Sequence, residues 1–326
     1  MRHHLIQRVE VDGQEVDLAL IKEATYTEVA DLSGPRFVVR FSDEDRQLKD
    51  DYGLIDGATM TVTISDTDGT GGIDIIEDFI IKSTSSPAKG VFAVDSLCKA
   101  VDDIKKITTQ TVMVNRKMVP VIITKVCGSP VVSDAFPLID AFHINQGERP
   151  SQKLSMLACE LGARIYYARG KWYCRSLPDL EAQEPESIDV FYADDSRKDR
   201  VILARSEVNT DAVLTDAIQR HFTGWEITRG VISANIHTDL PVEVTRYHTK
   251  STLNSINGYI APLMSFTGDG DGRYEPCMTV GLKFARSRKG RPYDESVPEK
   301  AVITSVSHWY RSQKYQCLFK IGVVKQ

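Results

Sequence analysis

The stretch from residue 150 to residue 177 constrains the fold most, because it predicts one helix followed by one hairpin. Four apolar residues recur at i, i+3, i+4 and i+7, the spacing that places them on one face of an amphipathic helix: Leu154, Leu157, Ala158 and Leu161. Ser151 is placed to cap the start of this helix and Gly162 to end it. A helix of about three turns is marginal in water, so its apolar face must pack against another element.

The residues after the helix supply that partner. Residues 163–167 and 172–177 are rich in aromatic side chains and predict two strands. Residues 168–171, with the sequence Ala-Arg-Gly-Lys, predict the connecting turn. Helix and hairpin together predict a small α+β unit that is inserted between two β-rich parts of the chain.

Short alternating strands and turns dominate on both sides of that unit. Strands are predicted at residues 24–29, 36–42, 59–65 and 76–82, and a final hairpin at 301–309 and 315–324. Several short strands in one region indicate a compact β barrel or sandwich. We therefore predict a mainly β chain with an α+β insert, divided into a first β domain at residues 1–86, a helix-plus-hairpin domain at 87–200 and a second β domain at 201–326.

Further segments complete the predicted order of elements. Apolar residues predict a second amphipathic helix that includes Val94, Leu97, Cys98, Val101 and Ile104. Residues 112–114 and 119–126 predict strands, and residues 210–221 a helix. Residues 179–200 contain eight acidic and three basic residues and predict an exposed connection.

Composition excludes several classes of protein. Apolar residues make up 42% of the chain and charged residues 26%, which is ordinary for a soluble globular protein. A net charge of −5 gives no overall basic field for nucleic acid or an anionic membrane. No signal peptide and no apolar run of the ~20 residues that span a bilayer are found, so we expect no membrane segment and folding in the cytosol. The six cysteines form no CxxC pair and are expected to be free, buried thiols.

The usual catalytic motifs are not found. The sequence has no GxGxxG, P-loop, HExxH or GxSxG pattern, so no catalytic residue, cofactor or metal site is predicted. The acidic pairs Asp50-Asp51 and Asp194-Asp195 are expected to be solvated, and the isolated His308 to be a hydrogen-bonded structural residue. Asp269 and Asp271 alternate with glycines; a Gly-Asp turn is favoured there, and a weak cation site stays open.

Two other clusters leave alternatives open. The basic run at residues 286–291 favours a solvated hairpin tip over a site for phosphate or an acidic partner. Four aromatic residues favour a division between core and interface over a stacking platform for sugars or bases: Tyr166, Tyr167, Trp172 and Tyr173.

Three stretches, taken in this order, carry a resemblance. The first contains residues 37–41, the turn 54–58 and residues 60–64; the second contains Asn-Gln-Gly-Glu at 145–148, the helix at 154–163 and Gly-Lys-Trp at 170–172; the third contains residues 301–308 and 315–319. In these stretches the chain resembles the central baseplate hub proteins of contractile-tailed bacteriophages and related injection machines. The landmarks extend over nearly the whole chain.

The resemblance implies an architecture and a set of partners. Hubs of this family carry two tail-tube-like β-barrel or sandwich domains that flank a helix-plus-hairpin domain, so that a homotrimer presents six similar domains in a ring. The ring joins the six-fold tail tube protein to the three-fold central spike protein and contacts other baseplate proteins. The family has no catalytic residues, and its place is the tail baseplate of the virion, assembled in the host cytoplasm. Because the sequence ends at Gln326, spike and lytic activities are expected in other proteins.

Three alternatives remain at this point. A distal tail or tube-initiator protein would share the tube-like domains and form a hexameric ring. A cell-wall glycan hydrolase would need an unrecognised pair of carboxylates facing a cleft. A glycan-binding module would use the aromatic residues between Tyr166 and Tyr173.

Overall fold

Strands dominate the described chain, and short helices and turns connect them. The computed structural model describes residues 4–44, 48–66, 75–85, 90–190, 202–206, 219–233, 240–245, 247, 249–284, 297–311 and 314–325. The strands are β1 (His4–Val11), β2 (Gln14–Glu15), β3 (Ile21–Val29), β4 (Arg36–Ser42), β5 (Thr59–Asp66), β6 (Ile75–Thr84), β7 (Val91–Cys98), β8 (Val112–Lys117), β9 (Val131–Ser133), β10 (Ile139–Ile144), β11 (Ala163–Ala168), β12 (Lys171–Ser176), β13 (Glu186–Val190), β14 (Ile202–Ser206), β15 (His221–Glu226), β16 (Gly230–Ser233), β17 (Val242–Thr245), β18 (Tyr259–Asp269), β19 (Thr279–Phe284), β20 (Lys300–Arg311) and β21 (Lys314–Lys325). The helices are α1 (Leu48–Asp51), α2 (Lys99–Lys105), α3 (Val119–Cys127), α4 (Pro150–Leu161), α5 (Leu177–Ala182) and α6 (Lys250–Asn257), and a short 3₁₀ helix lies at Leu18–Leu20.

One large sheet joins the two ends of the chain. Within the described ranges it has thirteen strands, eleven of them in the order β14-β18-β21-β20-β3-β4-β7-β6-β5-β1-β2. β3 pairs antiparallel with β20, from Val29 opposite Ser305 to Glu23 opposite Arg311. The remaining two strands, β13 and β19, pair with each other, and β19 also pairs with β20. The first and last parts of the chain are therefore continuous in one sheet, which agrees with the predicted mainly β class.

The cores follow from the alternation of side chains along these strands. In β6, for example, Ile75, Phe79 and Ile81 are buried whereas Ile76 is exposed. The buried residues of β1 and β3–β7 form one core. Those of β18–β21 form another.

The middle of the chain has its own core, where α2, α3 and α4 pack with β8 and β10–β12. The predicted helix and hairpin are confirmed, with a change at the start of the helix. α4 begins at Pro150, a residue suited to the first helical position, and Arg149 at the N-cap makes no side-chain capping bond. Ser151 therefore lies inside the helix. Gly162 ends it in the left-handed conformation, with φ +59°.

The predicted second amphipathic helix is wrong in its first half. Val94, Leu97 and Cys98 belong to β7, which pairs with β4 on one side and β6 on the other. Only the residues from Lys99 onward form a helix, α2, where Val101 is buried. The apolar pattern thus spans two elements. The first half is a strand because β4 and β6 hydrogen-bond to it from both sides, and these partners cannot be read from the local sequence.

Residues 119–126 were predicted as a strand from their β-branched residues and instead form α3. Pro120 fits its first turn, and Gly128 ends it with φ +75°. Val119, Ile122 and Ile123 are buried on one helical face. Tertiary packing therefore overrides the local β propensity of these residues.

The predicted exposed connection at residues 179–200 is only partly a connection. Its beginning forms α5, which Ser176 caps by accepting a hydrogen bond from the Asp179 amide. Its middle forms β13, parallel to β19 with Glu186 opposite Val280. Residues 191–200 and most of the predicted helix at 210–221 lie outside the described residues. Among the described helices, none is long and apolar enough to cross a membrane.

Candidate functional site: a buried ionic junction

Four charged or titratable side chains from distant parts of the chain meet in the interior: Glu28, Glu77, Arg169 and His308. We call this cluster the ionic junction. Arg169, at the tip of the β11–β12 hairpin, places Nε 3.4 Å from Oε2 of Glu28 and donates from Nη2 to the Tyr274 carbonyl at 2.6 Å. The junction therefore fastens the hairpin of the middle part to the large sheet.

The hairpin turn brings its backbone into the junction as well. Arg169 and Gly170 have φ +50° and +76°, the left-handed values that a two-residue hairpin turn of type I′ requires at both positions. The Gly170 amide donates to Oε1 of Glu77 at 2.7 Å. The turn thus binds Glu28 through the Arg169 side chain and Glu77 through the Gly170 main-chain amide.

Strand alternation explains why both carboxyls face inward. Glu28 follows Ala24 and Tyr26 on the buried face of β3, and Glu77 lies between Ile75 and Phe79 on the buried face of β6. Glu28 and Glu77 therefore occupy strand positions where the burial pattern predicts apolar side chains. Because a buried carboxyl group is costly without partners, each of them needs hydrogen bonds or an opposite charge.

His308 adds a third connection, from β20. It is fully buried, with Nδ1 2.7 Å from the Tyr315 hydroxyl and Nε2 3.8 Å from Oε2 of Glu28. Its ring stacks against Tyr26, whose hydroxyl donates to Oε1 of Glu28 at 3.0 Å. The prediction of a structural, hydrogen-bonded histidine agrees with this geometry.

Burial and charge shift the pKa values of these groups in different directions. Burial alone would raise the pKa of Glu28, but the neighbouring Arg169 and His308 lower it to about 2. Burial raises the pKa of Glu77 to about 8, helped by the charge of Glu28. For His308, burial would lower the pKa, but the neighbouring Cys317 and Glu28 raise it to about 9. Near neutral pH the junction therefore holds an ionised Glu28, a protonated Glu77 and a charged His308.

We expect the free energy of unfolding to fall as pH rises from about 6.5 to 8. In this window native Glu77 and His308 keep protons that the unfolded chain, with ordinary pKa values of 4.5 and 6.5, has begun to release. Each group contributes a slope of at most about 1.4 kcal/mol per pH unit. Glu28 acts at the acid end, where its contribution is lost as pH falls from 4.5 towards 2. Urea unfolding at half-unit pH steps measures this dependence.

The Glu77→Gln variant serves as the internal control, because it removes one of the two titrating groups and keeps the shape. We expect its slope between pH 6.5 and 8 to be about half that of the parent chain. An unfolding free energy that is flat across this window in the parent chain would contradict the assigned protonation states.

Asp269 and Asp271 are not brought together as a cation site by the described residues. Asp269 lies in β18 opposite Gln316. Asp271 is buried, and its two carboxylate oxygens accept hydrogen bonds from the Arg273 guanidinium at 2.8–3.2 Å. In the ranges that can be described, no group of three or more His, Cys, Asp or Glu side chains is placed to hold a metal ion.

The aromatic residues of the hairpin pack inside the protein. Trp172 is fully buried and Tyr167 packs edge-on against it, with ring centroids 5.2 Å apart. Tyr166 is buried, donates to the Pro276 carbonyl and stacks on the half-buried Tyr173 at 5.0 Å. They therefore form no exposed stacking platform, and the glycan-binding alternative loses the surface on which it depended.

The other sequence candidates are placed as follows. Asp50 and Asp51 are exposed on α1. Asp194-Asp195 and the basic run at 286–291 lie outside the described residues. All six cysteines are free; four are buried as expected, whereas Cys127 is half-buried and Cys159 is exposed, contrary to the expectation.

A second feature is an exposed apolar surface on the small sheet β16-β15-β17. The register places Trp225 beside Val231 on one face, and His221 and Thr223 of the same face lie beside Val242 and Val244. Four of these side chains are more than half exposed: Trp225, Val231, Val242 and Val244. We call this surface the β15 face; the His221 and Thr223 side chains of the same face are buried.

Comparison with solved structures defines the class of fold. The architecture is that of phage tail proteins, although no known family profile and no curated protein sequence matches the chain. A tail protein from Neisseria meningitidis MC58 aligns with a TM-score of 0.64 at 14% identity, covering 98% of this chain and 96% of that one. The 43 kDa tail protein of prophage MuSo2 from Shewanella oneidensis aligns with a TM-score of 0.62 at 13% identity, covering 98% and 97%.

A third similar structure comes from a different machine. It is a component of the type VI secretion system of Escherichia coli, described as similar to the bacteriophage T4 tail proteins gp27 and gp5. It aligns with a TM-score of 0.52 at 11% identity and covers 98% of this chain and 77% of that one. At these identities the likeness shows the fold, which the chain shares with tail components over nearly its whole described length.

Proposed function

We propose that this chain is a structural protein of a bacteriophage tail: the central hub of the baseplate, a trimeric ring that joins the six-fold tail tube to the three-fold central spike. The observation that carries the proposal is the alignment with two tail proteins, which covers 98% of this chain and at least 96% of each of those chains. The likeness to a type VI secretion component, itself described as similar to the T4 tail proteins gp27 and gp5, supports a tail part of a kind that phages and injection machines share.

The proposed mechanism is symmetry matching. Two tube-like β domains per chain, at residues 1–86 and 201–326, give six similar domains per trimer, with the helix-plus-hairpin domain at 87–200 between them in sequence. The antiparallel pairing of β3 with β20 supports a rigid relation between the two β parts. A rigid chain presents both domains to the tube at a fixed spacing, as a ring adaptor requires.

Subunit contacts in this ring are proposed to form by strand-edge pairing and apolar contact. The β15 face offers apolar side chains, among them Trp225, which is 56% exposed. In the described sheet order, β14 ends the large sheet at one side. Exposed edges and apolar surfaces of this kind are aggregation hazards in a monomer and are covered when a closed ring assembles.

The proposed role includes no turnover and no cofactor. A glycosidase needs two carboxyl groups about 5 to 9.5 Å apart that flank the bound sugar. Glu28 is fully buried and is bound by Tyr26, Arg169 and His308, so it is committed to the ionic junction. The surroundings of Glu28 support a structural role for this residue.

Native mass spectrometry of the chain mixed with its candidate central spike protein tests the hub role. We expect a complex that contains three copies of each. A ring of six copies that ignores the spike would favour the tube-initiator alternative. Clearing of bacterial cell walls by the pure chain would instead support the hydrolase alternative.

A further inference from the structure

A cavity of about 440 Å³ opens beside the ionic junction and has no role in the proposed ring. It lies where β6 extends past the end of β7: the first pair between these strands is Phe79 opposite Cys98, and α2 begins at the next residue, Lys99. Residues 76–78 of β6, the start of α2 and Tyr167 of the hairpin line it.

The wall of this cavity contains a buried carboxyl with one oxygen unused. Oε1 of Glu77 accepts the Gly170 amide, whereas Oε2 is buried and has no hydrogen-bond partner among the described residues. The Cys98 thiol lies beside the carboxyl and does not pair with Oε2. A buried polar atom without a partner is unfavourable, so a ligand that donates a hydrogen bond to Oε2 would be stabilised here.

The other residues that line the cavity indicate which kind of hydrogen-bond donor would fit it. Among the described lining residues Asp78 and Asp103 are acidic, and Asp103 is already paired with Lys99 at 2.5 Å and with Lys106 at 2.7 Å. Ala100 and the Tyr167 ring supply apolar and aromatic wall. Ile76, which is 65% exposed, adds an apolar side chain to the lining. A buried acid, an aromatic ring and an apolar wall together suit a cation on a hydrocarbon stem.

We propose that this cavity binds a primary ammonium group carried on an alkyl chain, with the Glu77 carboxylate as its counter-ion. The ammonium donates to the unused Oε2, and the stem packs against Tyr167 and Ala100. The site does not depend on the hub role, because it uses only groups within one chain.

Binding is coupled to the proton on Glu77. Glu28 and Arg169 act on this carboxyl from β3 and the hairpin turn, Cys98 acts from the end of β7, and Tyr26 and Tyr167 are coupled to it electrostatically. With its pKa raised to about 8 by burial and the charge of Glu28, Glu77 must release its proton to pair with an ammonium. Affinity therefore increases about tenfold per pH unit between pH 6 and 8, while an alkylammonium keeps its own proton.

Isothermal titration calorimetry with n-butylammonium chloride tests the site. We expect release of about one proton at pH 7, read from two buffers with different ionisation enthalpies, and binding that strengthens towards pH 8. Glu77→Gln should weaken binding more than tenfold and abolish proton release. The matched control Glu243→Gln, an exposed residue on β17, should change neither quantity.

Binding of uncharged n-butanol, measured in the same way, distinguishes recognition of the ammonium charge from simple filling of an apolar cavity. Equal binding of butanol, unchanged binding by Glu77→Gln, or no binding of butylammonium to the folded chain at pH 8 would each overturn the proposal. Circular dichroism of Glu77→Gln confirms that any loss does not reflect unfolding.

Two sources of the ammonium group can be distinguished in the same preparation. Carbodiimide cross-linking followed by peptide mass spectrometry would detect an amide between Glu77 and a lysine of another chain, which assigns the site to a lysine side chain. Tighter binding of 1,4-diaminobutane, without a protein cross-link at Glu77, assigns it to a free diamine. Absence of both the cross-link and amine binding contradicts the site.

Discussion

Replacing Arg169 with methionine is expected to lower the free energy of unfolding by about 3–5 kcal/mol. The Arg169 side chain is 6% exposed and Glu28 is fully buried, so the variant leaves a carboxylate in the interior with only His308, at 3.8 Å, as a charged partner. The variant also removes the hydrogen bond to the Tyr274 carbonyl. Urea unfolding followed by far-ultraviolet circular dichroism measures the loss.

Arg36→Met provides the matched control. Arg36 pairs with Asp95 at 3.1 Å, but its side chain is 54% exposed, and a surface pair of this kind contributes about 1 kcal/mol or less. Adding Glu28→Gln to Arg169→Met should recover part of the loss, because it removes the uncompensated charge. A loss for Arg169→Met no larger than that for Arg36→Met would show that the ionic junction does not hold the hairpin to the sheet.

Truncating Trp172 to alanine is expected to cost about 3–5 kcal/mol of unfolding free energy. The indole is fully buried in the core that α2–α4 share with the hairpin, and Tyr167 packs against it. Its Nε1 has no hydrogen-bond partner in the described part of the chain, so the loss is one of packing. The same urea titration provides the value.

Met113→Ala is the control for that truncation. Met113 lies on β8 of the same middle region and is 62% exposed, so we expect a change within about 0.5 kcal/mol. A loss for Trp172→Ala no larger than that for Met113→Ala would be inconsistent with the central place of Trp172 in this core and would reopen a surface role for the hairpin aromatics.

Local patterns predicted the elements whose partners are close in sequence. α4 and the β11–β12 hairpin form as expected, because the helix ends at a glycine and the turn needs only Arg169 and Gly170. β4 matches its predicted bounds, and the last two strands extend beyond their predicted bounds by one residue at three of their ends and by two residues at Arg311. In each case the spacing of apolar residues and a turn signal agree.

Elements that depend on distant partners were predicted less well. β7 was missed because its two neighbours, β4 and β6, supply its hydrogen bonds. α3 was missed because the burial of Ile122 and Ile123 against other helices outweighs their β propensity. Neither the pairing of β7 with distant strands nor the burial of α3 against other helices can be read from a short stretch of sequence.

The ionic junction could be found from sequence only in part. An acidic residue in the apolar phase of a strand, as at Glu28 and Glu77, is a usable signal for a buried carboxyl. Its partners were not predictable, because Arg169 lies 141 residues from Glu28 and comes from a different region of the chain. Sequence reasoning sought pairs of adjacent acids and so examined the wrong residues.

The mass of the assembled particle tests the central proposal most directly. Multi-angle light scattering on the purified chain across a concentration series, alone and then with the candidate spike protein, gives the number of copies. We expect three copies in the ring, formed by the chain alone or once the spike is added. A chain that stays monomeric at every concentration and in the presence of the spike would contradict the ring.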